Sequence, residues 1–426
     1  MRLVLKNIGK VSSADIAING ITVIAGENDT GKSTIAKALF VLCDAFYDKT
    51  RRIYAERLES IEKTLQVIKL RESKFEYLFP STNDGLREIA QFILNESEKL
   101  LRSHKDLRYK IIEWLNEITD ASVERPLLLD EEFFNSLLKR ICSILSLSSE
   151  EIFYGILEQE IRAEFSGEAH CLFTDKLSEI AISKTSDERV TVGIDSNNSI
   201  RADNFSFQME NAVYIDNVVG FNESILPHQL MLLRELQKDS VADNVVDELI
   251  ANKRLDLIFS KISSVCKGNL VKIKSNNNMK PDKWFYNLDD FSRPLPIDNL
   301  SAGIRMFAVL KSLIKNEAVH ENGMLILDEP ESHLHPAWQL VMAEVIVLLC
   351  KCLNVKILLN THSPYFLDAL EVYSAHYSVA DKCKYYLSHN LGKFSEVEDV
   401  TASIDKIYKK LLVPIQDLYD LRSESQ

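Results

Sequence analysis

Ile21-Thr22-Val23-Ile24-Ala25-Gly26-Glu27-Asn28-Asp29-Thr30-Gly31-Lys32-Ser33-Thr34-Ile35-Ala36-Lys37-Ala38-Leu39-Phe40 is the stretch that decides the fold. Its first five residues form an apolar run of strand type, and Ser33 onward reads as a helix. Between them, Gly26 to Ser33 fits G-x-x-x-x-G-K-[ST], the phosphate-binding loop, in the strand–loop–helix setting that the motif requires. Gly26 and Gly31 let the backbone curl so that its N–H groups converge on an anion. The helix N-terminus adds its positive dipole end. The motif therefore predicts that residues Gly26, Glu27, Asn28, Asp29, Thr30, Gly31, Lys32, Ser33 and Thr34 bind a nucleotide. Lys32 would reach the β- and γ-phosphates, and the Ser33 hydroxyl would ligate Mg²⁺.

Three later segments fall in an order that extends this reading. Leu325-Ile326-Leu327 is an apolar strand ending in Asp328-Glu329. It would deliver Asp328 to the Mg²⁺ shell and Glu329 to the attacking water as general base. After a further apolar strand, Val355 to Leu359, comes Asn360-Thr361-His362-Ser363, in which His362 could hydrogen-bond the γ-phosphate. Leu300-Ser301-Ala302-Gly303 precedes a helix beginning Ile304-Arg305-Met306. Ser301 and Gly303 would sit at its N-terminus, an anion site with nothing in its own chain to bind.

Together the four segments resemble the Walker A loop, Walker B strand, signature motif and switch histidine of ABC-type ATPases. The run Asp328-Glu329-Pro330-Glu331-Ser332-His333-Leu334-His335-Pro336 is similar to that of the SMC/RecF/OLD-like group. The opening strand from Leu3 to Gly9 fits the same group. The resemblance covers residues 1–46 and roughly 166–426. It implies an α/β fold: an ABC-type P-loop ATPase with a mixed sheet flanked by helices, an antiparallel β portion and a helical insertion at 47–165. It implies ATP and Mg²⁺ as cofactors, and a homodimer or higher homo-oligomer in which Ser301 and Gly303 of one subunit close on the ATP of the other. Ala302 and Ile304 depart from the usual signature, and His335 stands where transporter ATPases carry an aspartate. A Q-loop residue has candidates in Asp216 and Asn217, with Gln159 behind them.

The resemblance extends to ATPase subunits of bacterial anti-phage defence systems (PtuA-like), which implies a separate nuclease or toxin as protein effector. OLD nucleases append a TOPRIM domain, and the 64 residues after His362 lead us to expect none here. The alternative is a RecF/SMC-like DNA-repair ATPase. The membrane-transporter alternative is disfavoured by the helical insertion and the His-Leu-His-Pro run.

The composition suits a folded enzyme: 426 residues, 46% hydrophobic and 27% charged. The net charge of −13 argues against a surface that binds nucleic acid throughout, and leaves room for a local basic patch. No apolar run is expected to approach a membrane span, since Leu340 to Cys350 is interrupted by Glu344. No secretory signal is read at the N-terminus. Seven scattered cysteines without metal spacing predict reduced thiols and a cytoplasmic protein.

Between Phe46 and Phe165 glycine nearly disappears and apolar residues take helical spacing, over Ile53 to Leu70, Leu86 to Leu101, Leu107 to Ile118 and Phe133 to Leu147. Lys99, Arg102, Lys105 and Arg108 recur every third position. They read either as a stripe touching phosphate or as a solvated helix face. Beyond the insertion, Glu179 to Ser183 and Arg189 to Ile194 alternate like antiparallel strands. Residues 222–265 turn helical, and Val271 to Lys274 returns to strand.

Overall fold

In a computed structural model of the chain, residues 1–71, 84–97, 109, 131–216, 226–238, 255–273, 283–288 and 291–424 are described. Lys99, Arg102, Lys105 and Arg108 of the basic stripe, and Asn217, lie outside them.

The chain divides into two compact units, Met1–Tyr47 with Leu157–Gln426, and Asp48–Ile156. The first is built on an eleven-stranded sheet. Its centre is parallel: β13 (Cys383–Leu391), β3 (Ile21–Gly26), β12 (Lys356–Thr361), β11 (Met324–Asp328) and β7 (Ala212–Ile215), in that spatial order. β3, β12, β11 and β7 are buried on both faces, which is why they read as near-continuous apolar runs instead of alternating ones. All six residues of β3 are buried.

The flank is largely antiparallel. β1 (Arg2–Ile8) pairs with β2 (Val11–Ala17) and β4 (Ser178–Ser183), and β5 (Arg189–Ile194) and β6 (Ile200–Ala202) extend the sheet. Here one face meets the core: Leu3 and Leu5 are buried while Arg2 and Lys6, on the other face, are exposed. β14 (Phe394–Asp399) joins the two halves, antiparallel to β13 and parallel to β2. A separate three-stranded antiparallel sheet holds β8 (Asn269–Ile273), β9 (Lys283–Asn287) and β10 (Leu295–Pro296). The expected α/β architecture, a mixed sheet with helices and an antiparallel portion, is what the structure shows.

Helices connect the central strands. α1 (Lys32–Phe46) follows β3, and α8 (Pro336–Leu353) and α9 (Pro364–His376) carry the chain from β11 to β12 and on towards β13. α8 corrects the expectation that no apolar run approaches a membrane span. Over 18 residues its mean hydropathy is 1.6, which meets the length and composition of such a span. Met342 to Cys350 are all buried, however, so this apolarity belongs to the core. Glu344 is accommodated there because its carboxylate meets Tyr377 Oη at 2.6 Å and Lys261 Nζ at 2.8 Å.

The second unit contains α2 (Lys49–Arg71), α3 (Asp84–Asn95) and α4 (Glu131–Ser146). Leu58, Ile61 and Leu65 of α2 pack with Leu86, Ile89, Ala90 and Ile93 of α3 and Leu138, Ile141 and Leu145 of α4. That three-to-four-residue spacing is the apolar stripe of amphipathic helices. α5 (Ser149–Glu164) opens on a capping box, with Ser148 Oγ accepting from Glu151 N at 3.1 Å and Glu151 Oε2 accepting from Ser148 N at 2.8 Å. Two further helices of the first unit matter below: α6 (Pro227–Leu236) and α7 (Ala302–Lys315).

Candidate nucleotide site

The loop between β3 and α1 is closed to any side chain at its two glycines. A Cβ on Gly26 would stand 2.3 Å from the Ser388 carbonyl oxygen of β13. Gly31, the N-cap of α1, has φ +82°, and a Cβ there would meet Val11 Cγ2 at 2.5 Å. Ser388 Oγ donates to the Thr30 carbonyl at 2.7 Å and Thr30 Oγ1 donates to the Glu27 carbonyl at 2.9 Å. Asp29, at φ +59°, is held by Lys10 Nζ through its carbonyl and its carboxylate. Glu27, Asn28, Asp29 and Ser33 are exposed, and Thr34 is half-buried.

Lys32 is buried, and its ammonium donates to the carbonyls of Gly26 at 3.0 Å and Glu27 at 2.7 Å. Burial lowers its pKa below the ordinary lysine value, while the charges of Glu329, Asp328, Glu331 and Glu27 pull it part of the way back. The lysine thus sits in a field that binding of phosphate would complete and that carboxylates alone do not balance.

The neighbouring strand ends bring the acidic residues to the same edge. β12 lies between β3 and β11 in parallel register, with Asn360 opposite Ile24 on one side and Asp328 on the other. Asn360 Nδ2 donates to Asp328 Oδ1 at 2.9 Å, and the Tyr214 hydroxyl donates to Oδ2 at 3.2 Å. Both donors are neutral, so they orient the carboxylate without cancelling its charge. Glu329 leaves the strand at φ +49°, and its Oε1 lies 3.1 Å from His362 Nδ1. Beneath them, Glu331 is buried and accepts from Thr361 Oγ1 at 2.5 Å and from the His362 N–H at 3.4 Å. Burial raises the Glu331 pKa, against the pull of those donors and of the His362 charge.

The signature residues lie apart. Ser301 is the exposed N-cap of α7, accepting from Ile304 N at 3.4 Å. Gly303 is buried, and a Cβ there would come within 3.0 Å of Leu334 Cδ2 and 3.3 Å of the Trp338 ring. Among the described residues, no hydrogen bond or ion pair joins Ser301 or Gly303 to residues 26–34. His335 caps α8, with Nδ1 accepting from Ala337 N at 3.3 Å.

Of the Q-loop candidates, Asp216 is engaged with His228 at 3.0 Å and with Gln229 at 2.8 Å, and Gln159 is exposed on α5. Sequence reasoning quoted Asn360 and Glu331 without giving them a role, and did not single out Tyr214. Asn360 could have been found as the polar end of an apolar strand beside Asp328. Ser388 carries no such signal, because only the sheet order places it against the loop. All seven cysteines are free, five of them buried. Among the described residues, no group of three or more His, Cys, Asp and Glu side chains is arranged to hold a metal.

The residues present suit a nucleotide with a divalent cation. The loop leaves its backbone open to an anion and admits no Cβ at Gly26 or Gly31, and the Asp328 carboxylate and Ser33 hydroxyl are hard oxygen donors of the kind Mg²⁺ takes.

The family model described as "AAA ATPase domain" (AAA_15) matches residues 1–367. No protein of curated function matches the chain. Among solved structures, the chain is similar to an SMC head bound to the C-terminal winged-helix domain of ScpA, at 12% identity and TM-score 0.42, over 95% of this chain and 98% of that one. The SMC head domain from Thermotoga maritima matches at 10% identity and TM-score 0.37, over 94% and 98%. An SMC head with extended coiled coil, bound to the C-terminal domain of ScpA from Pyrococcus furiosus, matches at 13% and 0.34, over 96% and 98%.

Proposed function

We propose, from the premise that this chain belongs to the AAA ATPase domain family and is an ATPase, that it works as an ABC-type dimer closing around two ATP–Mg²⁺ molecules. The observation that carries this reading is a separation within one chain. Lys32, Asp328, Glu329 and His362 gather at adjacent strand ends, while among the described residues the exposed Ser301 cap of α7 forms no hydrogen bond with the loop. A second copy would supply what each site lacks.

In this mechanism residues 26–34 hold the phosphates through backbone N–H groups and Lys32. Ser33 and Asp328 hold the cation, which would screen the phosphates from the carboxylates around Lys32. Glu329 accepts the proton of the attacking water as general base. His362, within 3.1 Å of Glu329, orients that carboxylate and contacts the γ-phosphate. Ser301 and Gly303 of the facing subunit complete the anion site at the start of α7.

The finer setting follows the Asp328–Pro336 run and its resemblance to OLD-like and PtuA-like proteins. It is a cytoplasmic role in antiviral defence, with the ATP cycle switching a separate nuclease or toxin, or nucleic acid, and with residues 47–165 as a helical insertion. A RecF/SMC-like role in DNA repair would use the same site.

Mixing two dead variants tests the shared site. Ser301→Arg retains its loop and Lys32→Ala retains its signature, so a heterodimer keeps one site intact. Partial recovery of ATP hydrolysis on mixing supports composition in trans. Activity equal to the sum of the two variants, with heterodimers shown to form, overturns it.

A further inference from the structure

A buried cluster reaches the proposed cation site through Tyr214. This tyrosine lies on β7, is 2% exposed, and donates from its hydroxyl to Asp328 Oδ2 at 3.2 Å. Its ring is stacked on the His228 imidazole, with centroids 4.3 Å apart and planes at 30°. Phe40, on the helix that follows the phosphate loop, lies 5.9 Å from both rings. The phenol is thus held on one face by the imidazole, flanked at the side of the stack by Phe40, and tied at its hydroxyl.

His228 is itself held from two sides. Its Nδ1 lies 2.7 Å from Glu164 Oε1, and its backbone N–H donates to Glu164 Oε2 at 3.3 Å. Its Nε2 lies 3.0 Å from Asp216 Oδ2, at ion-pair distance but without hydrogen-bond alignment. Asp216 also accepts from Gln229 Nε2 at 2.8 Å, and the Glu164 carbonyl accepts from Lys37 Nζ at 3.1 Å. Burial pushes the His228 pKa down, but the Asp216 and Glu164 contacts outweigh it and the net direction is up.

Three elements meet here: the last residue of α5, the residue after β7, and the first turn of α6. An ion cluster with Glu164 fully buried and His228 at 1% exposure is a poor source of net stability, because desolvation consumes most of the attraction. A well-packed apolar core would serve stability as well. What an ion cluster supplies beyond that is a fixed geometry for the imidazole and for the ring stacked on it. Tyr214, in turn, is the one of the two donors to Asp328 that this cluster touches.

We propose that Tyr214 is a positioning residue that fixes the Asp328 carboxylate for the divalent cation, and that the buried Glu164–His228–Asp216 cluster sets Tyr214 in place. The inference rests on the reading of Asp328 as a cation-holding residue. Tyr214 does not touch the nucleotide; it removes freedom from a carboxylate whose second oxygen Asn360 already holds. Partners of this kind that orient metal ligands are worth about 10–100-fold in metal affinity.

The test uses the full chain and a non-hydrolysable ATP analogue, titrated by calorimetry over a series of Mg²⁺ concentrations, with thermal melting measured in parallel. Tyr214→Phe keeps the stacked ring and removes only the hydroxyl. Its half-saturating Mg²⁺ concentration should rise about 10-fold or more, with nucleotide affinity in the absence of Mg²⁺ unchanged. With ATP in place of the analogue, excess Mg²⁺ should restore hydrolysis. Glu164→Gln, which preserves shape, should shift the Mg²⁺ dependence the same way and add nothing to Tyr214→Phe in the double variant.

Asp328→Asn separates the two levels of the argument. If it shifts the Mg²⁺ dependence while Tyr214→Phe lowers only the melting temperature, Tyr214 is structural and the inference falls with the cation reading intact. If Asp328→Asn leaves the Mg²⁺ dependence unaltered, the cation reading fails and takes the inference with it. Additive shifts from Glu164→Gln and Tyr214→Phe would refute the role given to the cluster.

Discussion

Replacing Gly31 by alanine asks the loop to carry one methyl group where the structure leaves no place for it. At φ +82° an L-residue is in the left-handed region, which costs about 1–2 kcal/mol. The added Cβ would stand 2.5 Å from Val11 Cγ2 and 3.1 Å from Ser395 Oγ, far inside the carbon–carbon optimum of about 3.5–4.0 Å. Val11 is itself buried at the start of β2, between β1 and β14, so it cannot swing aside, and overpacking of this kind adds about 1–3 kcal/mol. The sum is roughly 2–5 kcal/mol, to be shared between two responses. Either the loop keeps its shape and thermal stability falls, or it relaxes, its N–H groups no longer converge, and ATP affinity falls instead. Calorimetric ATP titration together with a thermal melt captures both. A variant within about 0.5 kcal/mol of the parent in each, the range of a neutral surface change, would refute the claim that Gly31 is a conformational requirement.

Two further predictions concern the buried charges of the site. Lys32→Ala should weaken ATP binding by about 10–100-fold, the worth of hydrogen bonds from a charged donor, as read by equilibrium titration; undiminished affinity would remove Lys32 from the phosphates. Glu331 has a folded pKa raised by burial, so its ionisation costs stability: the benefit present below the unfolded carboxyl pKa is lost as pH rises through the raised folded value. Glu331→Gln, which still accepts from Thr361, should therefore gain stability relative to the parent across that rise. Parallel melting curves at every pH would show that Glu331 bears no such penalty.

Much of the site was legible because its strands are short, apolar and buried on both faces, so that β3, β11 and β12 announce themselves as runs ending in polar residues. The helical spacing of Leu58, Ile61 and Leu65 was legible as the one-sided apolar stripe of an amphipathic helix. Other parts were not. β2 is Val-Ser-Ser-Ala-Asp-Ile-Ala, too polar to read as a strand by composition. Its signal was the two-residue Gly9-Lys10 link to β1, with Gly9 at φ +52°, a hairpin turn. β13 completes the parallel sheet from late in the chain, and only tertiary register puts Ser388 against Gly26. Tyr214 and His228 carried no signal, since side-chain pairing across β7 and α6 has no sequence periodicity. The apolarity of α8 was underestimated at Glu344, a charge that Tyr377 and Lys261 satisfy within the fold.

The central claim is that this chain hydrolyses ATP with Glu329 as the base that activates water. Single-turnover hydrolysis by Glu329→Gln, measured beside ATP binding by the same protein, tests it most directly. The account predicts ATP held as tightly as by the parent, with hydrolysis slowed by about 10²–10⁴-fold. Hydrolysis at the parental rate, with binding intact, would contradict it.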